Sequence, residues 1–324
     1  MRLLFAASLL GALSAAFSTI PSLHAQTYPT KPIRMMVPSL PGGGFDATGR
    51  ILADKMGLLL GTSIIVENRS GAGTVLGTEI ASKSLPDGYT LLIGGLSNIA
   101  LNPGLYPKLS YDPFDFRPIG LAVSYSYTLI GRKDFPANNL RELIDYGRAN
   151  PGKLSYGGAA GTGQHVAASA LFSQLEVKAL SVFYKGAALV YPDLLGSRID
   201  LYFDNTQTAR PHIEKGVVKA FATSSPVRLS FLPNIPTIAE TGVGKLEMET
   251  WFGPFVVKAT PQAIVDRLRT EFYKTMAMPD VIERFEKGSG RVMSMPPGET
   301  EKYVTSEIAR WTAVIKKAGI TIQE

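Results

Sequence analysis

The feature that most constrains this chain is a regular alternation of short apolar segments with longer amphipathic ones. An apolar run at Ile33–Val37 precedes a helical pattern over 46–60, a β-branched run over 63–67, a helix through Lys83 and a third run over 89–93. Successive β-α-β units need right-handed crossovers, and these place the strands in a parallel sheet. The sequence therefore predicts an α/β fold.

A second α/β series occupies the middle of the chain. Helical and strand patterns alternate from residue 140 to 223, after a segment over 96–118 that we interpret as loop, and the chain ends in a largely helical tail. Two α/β modules with a helical tail predict two lobes separated by a cleft. Ligands of such sheets bind outside the carboxyl ends of the strands.

Composition excludes several kinds of site. The 324 residues contain no cysteine and three histidines, His24, His165 and His212. Disulfides, thiolate metal sites and cysteine nucleophiles are therefore excluded, and we expect no metal site because zinc centres need several such ligands. The formal charge of +6 comes without a dense basic run, so we expect no nucleic-acid partner.

The first 25 residues have the pattern of a secretory signal peptide. Arg2 precedes an apolar stretch over 3–17, Pro21 breaks it, and Leu23-His24-Ala25 offers a cleavage site near Ala25. A membrane anchor is the alternative, but the run is shorter than the ~20 residues that a spanning helix needs. We expect an exported, periplasmic protein. No cysteine follows the apolar stretch, so a lipoprotein anchor is not expected.

A glycine-rich loop joins the first strand to the first helix. It reads Pro38-Ser39-Leu40-Pro41-Gly42-Gly43-Gly44-Phe45-Asp46. Glycines expose backbone amides, and the start of a helix adds about half a positive charge, so the loop could bind a carboxylate or phosphate. The alternative is a plain tight turn in which Asp46 caps the helix.

A second glycine-rich loop occupies the equivalent place in the second module. It runs from Gly157 to Gly163 and is followed by Gln164 and His165, with the Thr162 hydroxyl inside it. We predict that the two loops face each other across the cleft and bind one anion between them. For His165 the alternative is a neutral structural histidine in the first turn of the helix.

Other polar residues follow predicted strands. These are Ser70 to Thr74, Ser97 and Asn98, Tyr184-Lys185-Gly186, and Asp204 and Asn205. Each set could contact a ligand in the cleft. For Ser70 to Thr74 simple helix capping is the favoured interpretation, for Asp204 and Asn205 helix capping is the alternative, and Lys185 could instead face solvent. Trp251 and Phe252 lie in a strand-like run, where core packing is the favoured interpretation.

The sequence disfavours two catalytic or cofactor motifs. Gly42-x-Gly44-x-x-Ala47 matches a relaxed dinucleotide fingerprint, but four residues separate it from Val37 and Asp46 would repel a pyrophosphate. No G-x-S-x-G elbow occurs, which disfavours an α/β-hydrolase. Anion-binding loops without a nucleophile–base pair indicate a binding protein without a cofactor.

An ordered set of short motifs resembles the substrate-binding proteins of tripartite tricarboxylate transporters, also called Bug or TctC proteins. The set comprises Tyr28-Pro29-x-Lys31-Pro32-Ile33-Arg34, Val37-Pro38, Pro41-Gly42-Gly43, Val66-Glu67-Asn68-Arg69-x-Gly71-Ala72-Gly73, Pro86-Asp87-Gly88-Tyr89-Thr90-Leu91-Leu92, Asn102-Pro103-x-Leu105-Tyr106, Tyr111-Asp112-Pro113, Pro151-Gly152-Lys153-Leu154, Gly161-Thr162-x-x-His165, Tyr184-Lys185-Gly186, Asp193-Leu194-Leu195-Gly196 and Pro236-Thr237-x-x-Glu240. It spans essentially the whole chain after the signal peptide.

The resemblance implies a two-lobed periplasmic-binding-protein fold of type II, which closes on a small carboxylate like a Venus flytrap. It implies that both glycine loops hold one carboxylate, partly through ordered waters, and that Phe45, Ser97, Tyr184 and Asp204 meet the far end of the ligand. The implied site residues are Gly42, Gly43, Gly44, Phe45, Asp46, Ser97, Gly161, Thr162, His165, Tyr184 and Asp204. Ser39-Leu40 departs from the family's usual pair, and the second loop is one residue shorter than its pattern.

The domain division and the function follow from the same resemblance. Lobe 1 would comprise residues 26–124 and 225–324, lobe 2 residues 125–224, with the bend near 119–123 and 218–223. The expected function is capture of an organic carboxylate and its delivery to a tripartite tricarboxylate-type membrane transporter, by a monomer without enzymatic activity. A sensor for a signalling partner and an exported enzyme acting on a carboxylate are the alternatives.

Overall fold

The computed structural model describes residues 28–184 and 189–322, and the signal-peptide prediction lies outside them. Strands alternate with helices along most of the chain. The strands are β1 Ile33–Val37, β2 Ile64–Asn68, β3 Thr90–Gly95, β4 Phe116–Pro118, β5 Val123–Arg132, β6 Leu154–Ala159, β7 Ala179–Tyr184, β8 Leu201–Asn205, β9 Val218–Thr223, β10 Glu249–Val257 and β11 Arg291–Val292. The predicted α/β class is confirmed.

The described helices follow the predicted alternation, and the tail is helical as expected. They are α1 Gly44–Leu60, α2 Val75–Ser82, α3 Asn102–Leu105, α4 Leu140–Ala149, α5 Gly163–Gln174, α6 Val190–Leu195, α7 Thr206–Glu214, α8 Gln262–Met276, α9 Pro279–Lys287 and α10 Pro297–Ala318. Both α1 and α10 end at a glycine in the left-handed conformation, Gly61 and Gly319, which stops a helix without a Cβ penalty. Within the described part of the chain, no helix is long and apolar enough to cross a bilayer.

The strands form one sheet in the order β2-β1-β3-β10-β5-β8-β6-β7, with β4 beside β10 and with β9 and β11 beside β5. Pairing is parallel among β2, β1 and β3 and among β7, β6 and β8. It is antiparallel where β10 meets β3 and β5 and where β5 meets β8 and β9. Each parallel part therefore has an edge at which strands end and helices begin.

Strand β5 joins the two parts of the sheet. Its residues 123–126 pair with β10, whereas residues 127–131 pair with β8. Nine of its ten residues are buried. Because one continuous strand serves both parts, a change in its twist would alter their relative orientation. The division into lobes at 124 and 224 stays a prediction.

Helix α1 packs closely on the first part of the sheet because of Gly49. A Cβ at this position would lie 2.9 Å from the Val37 side chain and 3.4 Å from that of Ile93. Leu52 and Met56 on the same helix are fully buried. Trp251 and Phe252 are buried on β10, as the core interpretation predicts.

The interpretation of residues 96–118 as loop is wrong for much of the segment. Leu96–Leu101 form a π-helical turn that continues into α3, and Pro113–Asp115 form a 3₁₀ turn before β4. Buried amides explain the order, because Asn98 accepts from the Gly95 amide at 2.8 Å and donates to the Thr78 hydroxyl at 3.0 Å. The Asn102-Pro103 and Asp112-Pro113 pairs indicate a loop in the sequence, whereas in the structure each proline lies in the first turn of a short helical segment.

Candidate functional site

The first glycine loop is open at its tip. It follows β1 and ends at Gly43, the N-cap of α1, which has φ −89° and no side-chain cap. A Cβ added at Gly42 or Gly43 would have no atom within 4 Å. The first hydrogen bond of the helix runs from the Ala47 amide to the Gly43 carbonyl. The amides of Gly43, Gly44, Phe45 and Asp46 therefore lack partners inside the helix and can bind an anion.

Asp46 braces this loop instead of capping the helix. Its carboxylate accepts from the Gly42 amide, the Arg50 guanidinium and the Asn68 amide, each at 3.0 Å. Burial alone would raise the pKa of Asp46, but the hydrogen bonds from Arg50, Gly42 and Asn68 outweigh it and lower this pKa. The Gly42 amide is therefore used within the loop, and the negative charge of Asp46 is compensated locally.

An aromatic pair lies behind the start of α1. The rings of Phe45 and Phe252 meet edge to face at 4.7 Å between centroids. Cβ atoms at Gly44 and Gly95 would lie 2.7 and 2.8 Å from the Phe252 ring, so both positions need glycine. Ser97, which is buried, follows Gly95 by two residues. The structure thus brings Gly44 and Phe45 to the end of β3 from which Ser97 follows.

The second glycine loop is shorter than the sequence suggested. Gly157 and Gly158 belong to β6, and α5 begins at Gly163 with Thr162 as its N-cap. The Thr162 hydroxyl donates to the Ala159 carbonyl at 2.6 Å, and the Thr162 amide donates to the same oxygen at 3.2 Å. The amides left for an anion are those of the first turn of α5, at Gly163, Gln164 and His165.

Tyr127, which belongs to none of the predicted site motifs, approaches this second helix start closely. A Cβ on Gly163 would lie 1.9 Å from the Tyr127 hydroxyl oxygen. Tyr127 is buried on β5, at the first position where that strand pairs with β8. No local pattern identifies this residue, because the contact joins two segments far apart in sequence.

The second glycine loop touches the third loop, Ser70 to Thr74. The Cα of Gly161 lies 3.6 Å from where a Gly73 Cβ would be, and the Ala160 carbonyl oxygen lies 3.1 Å from the same point. Tyr106 adjoins both glycines and donates to the Ala72 carbonyl at 2.9 Å. A Cβ added at Gly42 or Gly43 would have no atom within 4 Å. The tip of the first glycine loop therefore takes no part in this contact. Convergence of the first two loops on one anion stays a prediction.

His165 is buried in the first turn of α5. Its side chain meets the Phe183 ring edge to face at 4.9 Å, and its Nδ1 has no hydrogen-bond partner among the described residues. Burial lowers the pKa of His165 to about 4, so the imidazole is neutral at pH 7. The ring is one wall of a cavity against β7 and the end of α10.

Tyr184 and Asp204 are engaged with other side chains. The Tyr184 hydroxyl donates to Asp193 at 2.8 Å, and burial raises the pKa of Tyr184 to about 12. Asp204 is fully buried and accepts from Tyr191 at 2.6 Å and from the Asn205 amide at 2.8 Å. Burial raises the pKa of Asp204. None of these contacts places Tyr184 or Asp204 beside the start of α1 or of α5. Lys185 and Gly186, two further predicted residues, lie outside the described part of the chain.

Comparison with known proteins gives one consistent result. Residues 48–320 match the family described as tripartite tricarboxylate transporter family receptor. The periplasmic binding protein BugD is 36% identical with a TM-score of 0.83, covering 91% of this chain and 100% of BugD. The Rhodopseudomonas palustris proteins Rpa4515, solved with adipate, and MatC, solved with bound malate, are 30% and 28% identical, with TM-scores of 0.84 and 0.82. The matches cover 91% of this chain for Rpa4515 and 89% for MatC, and they cover 100% of each of those two chains.

These matches confirm the predicted fold, a two-lobed periplasmic-binding-protein fold. The relatives are binding proteins, and the family is periplasmic. Their agreement over most of the chain also confirms the resemblance drawn from the motifs.

Proposed function

Because this chain belongs to the tripartite tricarboxylate transporter receptor family, we propose that it captures a small organic carboxylate between the first turns of α1 and α5. The bound acid would then be delivered to a membrane transporter of the tripartite tricarboxylate type. The protein would be exported after cleavage near Ala25, would act as a monomer and would catalyse no reaction.

The observation that carries the proposal is the open tip of the first glycine loop. Amides from Gly43 to Asp46 point outward from a helix start, and the positions of Gly42 and Gly43 are unobstructed. Charge-assisted hydrogen bonds to such amides are stronger than neutral ones, at about 1.5–3 kcal/mol each before desolvation is counted. The dipole of the 17-residue helix α1 adds to this preference for negative charge.

The second half of the proposed site is the start of α5. The amides of its first turn come directly after β6 and the second glycine loop. Strand β6 lies in the other part of the sheet from β1, which precedes the first glycine loop. We propose that the lobes, 26–124 with 225–324 and 125–224, close by a bend near 119–123 and 218–223, at the start of β5 and in β9, so that both helix starts reach one carboxylate. Gly42, Thr162, Ser97, Tyr184 and Asp204 would then support or border the ligand. The bound adipate and malate of two relatives support a dicarboxylic acid as the first ligand to test.

The test is calorimetric titration of the protein with adipate, malate and other organic acids, beside the corresponding uncharged amides. We expect binding of at least one acid and no binding of its amide. Gly43→Glu should abolish that binding, since the new side chain has room but carries a negative charge into the anion site.

Gly298→Glu is the matched control. Gly298 is also in the first turn of a helix, α10, and a Cβ there would likewise have no atom within 4 Å. This variant should bind as the unmodified protein does. Unchanged acid affinity in Gly43→Glu would refute the proposed site, and binding of the amides as tightly as the acids would refute the carboxylate class.

A further inference from the structure

A direct contact joins the two parts of the sheet at the second glycine loop. A Cβ added to Gly161 would lie 3.1 Å from the Tyr106 hydroxyl oxygen and 3.2 Å from a methyl carbon of Ile322. It would lie 3.7 Å from the Cα of Gly73. Gly161 follows β6 in the second part of the sheet, whereas Gly73 follows β2 in the first part and Tyr106 follows α3. We call these three groups, from Gly73, Tyr106 and Ile322, the Gly161 seat.

The third loop holds one wall of the seat in a strained conformation. Ala72, Gly73 and Thr74 have φ values of +43°, +57° and +83°, which are unfavourable for alanine and more so for the β-branched threonine. The Tyr106 hydroxyl donates to the Ala72 carbonyl at 2.9 Å, and the Asn102 amide donates to the Thr74 hydroxyl at 3.2 Å. Strained backbone of this kind persists only where its surroundings fix it. The wall at Gly73 is therefore held rigidly by its own side of the cleft.

The contact lies next to the second half of the proposed ligand site. Gly161 directly precedes Thr162, the N-cap of α5, whose first-turn amides are proposed to bind the carboxylate. The distances from a Gly161 Cβ to Tyr106 and Ile322 are shorter than ordinary contact distances, so the seat fits a glycine and obstructs a larger residue. The start of α5 can approach the first part of the sheet this closely only while residue 161 has no side chain.

We propose that the seating of Gly161 is a latch that sets the balance between the open and closed forms of the cleft. Atoms of the chain supply both sides of the latch, so it acts on the lobes themselves and needs no bound acid. The closed form places both helix starts on one carboxylate, and its population therefore scales the apparent affinity. The effect on affinity rests on the proposed function, whereas the effect on the separation of the lobes does not.

The distance between the lobes tests the latch without any organic acid. The chain contains no cysteine, so Ile80→Cys on α2 and Leu189→Cys before α6 give one pair of sites for spin labels. Both residues are exposed. Double electron–electron resonance should find a short distance in the labelled protein and, after Gly161→Ala, an additional population at longer distance. The physical reason is that the new methyl group meets the seat only in the closed form.

Gly152→Ala is the matched control. Gly152 has φ +76° and Gly161 has φ +74°, so alanine is equally strained at both positions, but a Cβ at Gly152 would have no atom within 4 Å. This control should keep the distances of the labelled protein, and thermal unfolding followed by circular dichroism checks that each variant is folded. Gly161→Ala combined with Ile322→Ala should recover part of the short-distance population, since one wall of the seat is then removed. Identical distances in Gly161→Ala and Gly152→Ala, or no recovery in the double variant, would overturn the latch.

Calorimetry measures the consequence for binding, with an organic acid that binds the unmodified protein. Gly161→Ala should weaken binding about three- to tenfold, in step with the lost closed population, and Gly152→Ala should not weaken it. Unchanged affinity in a variant whose distances have lengthened would overturn the link between latch and affinity. If no acid binds even the unmodified protein, the proposed function fails, while the distances still decide whether the latch exists.

Discussion

The backbone amide of Gly42 donates to the Asp46 carboxylate at 3.0 Å, and this contact ties the open end of the first glycine loop to helix α1. Arg50 and Asn68 bind the same carboxylate from the helix and from β2. One acidic side chain therefore fixes the loop whose remaining amides are proposed to bind the ligand. The negative charge of Asp46 would repel an anion, but the adjacent Arg50 guanidinium compensates it.

We expect Asp46→Ala to destabilise the protein by about 1–3 kcal/mol, because it leaves the Gly42 amide and the Asn68 side chain without their acceptor. It should also weaken organic-acid binding, since the loop must then be ordered when the ligand binds. Urea unfolding and calorimetry measure the two effects. Asp54→Ala removes an exposed acid from the same helix and should change stability by less than about 0.5 kcal/mol. Equal losses in both variants would contradict the bracing role.

Gly163→Ala should destabilise the protein by about 1–3 kcal/mol, the usual cost of forcing extra atoms into a packed site. The new methyl group would meet the Tyr127 hydroxyl oxygen, which lies 1.9 Å from the Cβ position. Tyr127→Phe in the same chain removes that oxygen and should recover part of the loss in urea unfolding. Gly158→Ala is the control, since its nearest neighbour, the His165 amide nitrogen, is at an ordinary 3.5 Å. Additive losses in the double variant would show that the clash is not the cause.

Much of the fold was predictable because it rests on local patterns. The apolar run of β1 and the periodicity of α1 lie within a few residues of each other in the chain, so the sequence reveals them. The extension of β6 to include Gly157 was not predictable, because it depends on distant side chains. A Cβ at Gly157 would lie 2.6 Å from Val190 and 2.7 Å from Ile199.

The candidate site, like the fold, could be predicted only in its local features. Helix starts after glycine loops can be read from sequence, and the structure has one at each predicted place. The bracing role of Asp46 depends on Asn68, which is 22 residues away. The contact of Gly163 with Tyr127 likewise joins two parts of the fold. The spacing of residues within a short stretch of sequence does not reveal tertiary contacts of this kind.

Asn98→Ala should cost about 1–3 kcal/mol, because the Gly95 amide and the Thr78 hydroxyl lose a buried partner. A double-mutant cycle with Thr78→Val isolates the side-chain contact. Since the two residues bond directly, their losses should be non-additive by more than about 0.5 kcal/mol in urea unfolding. Strict additivity would contradict the role assigned to this amide in ordering Leu96–Leu101.

His165 should make stability depend on pH. Burial lowers its pKa to about 4, whereas an unfolded histidine titrates near 6.5, so between these values the unfolded chain binds a proton that the folded chain does not. Stability is therefore fully present above about pH 6.5 and falls as the pH is lowered, by about 1.4 kcal/mol at pH 5.5. Urea unfolding at pH 7.5 and 5.5 measures the difference. His165→Phe should remove most of it. The half-buried His212 ring, stacked against Tyr191, also has a pKa lowered by burial, but it is less buried, so His212→Asn should retain the larger part of the difference. The same pH difference in the unmodified protein and in His165→Phe would show that another group is responsible.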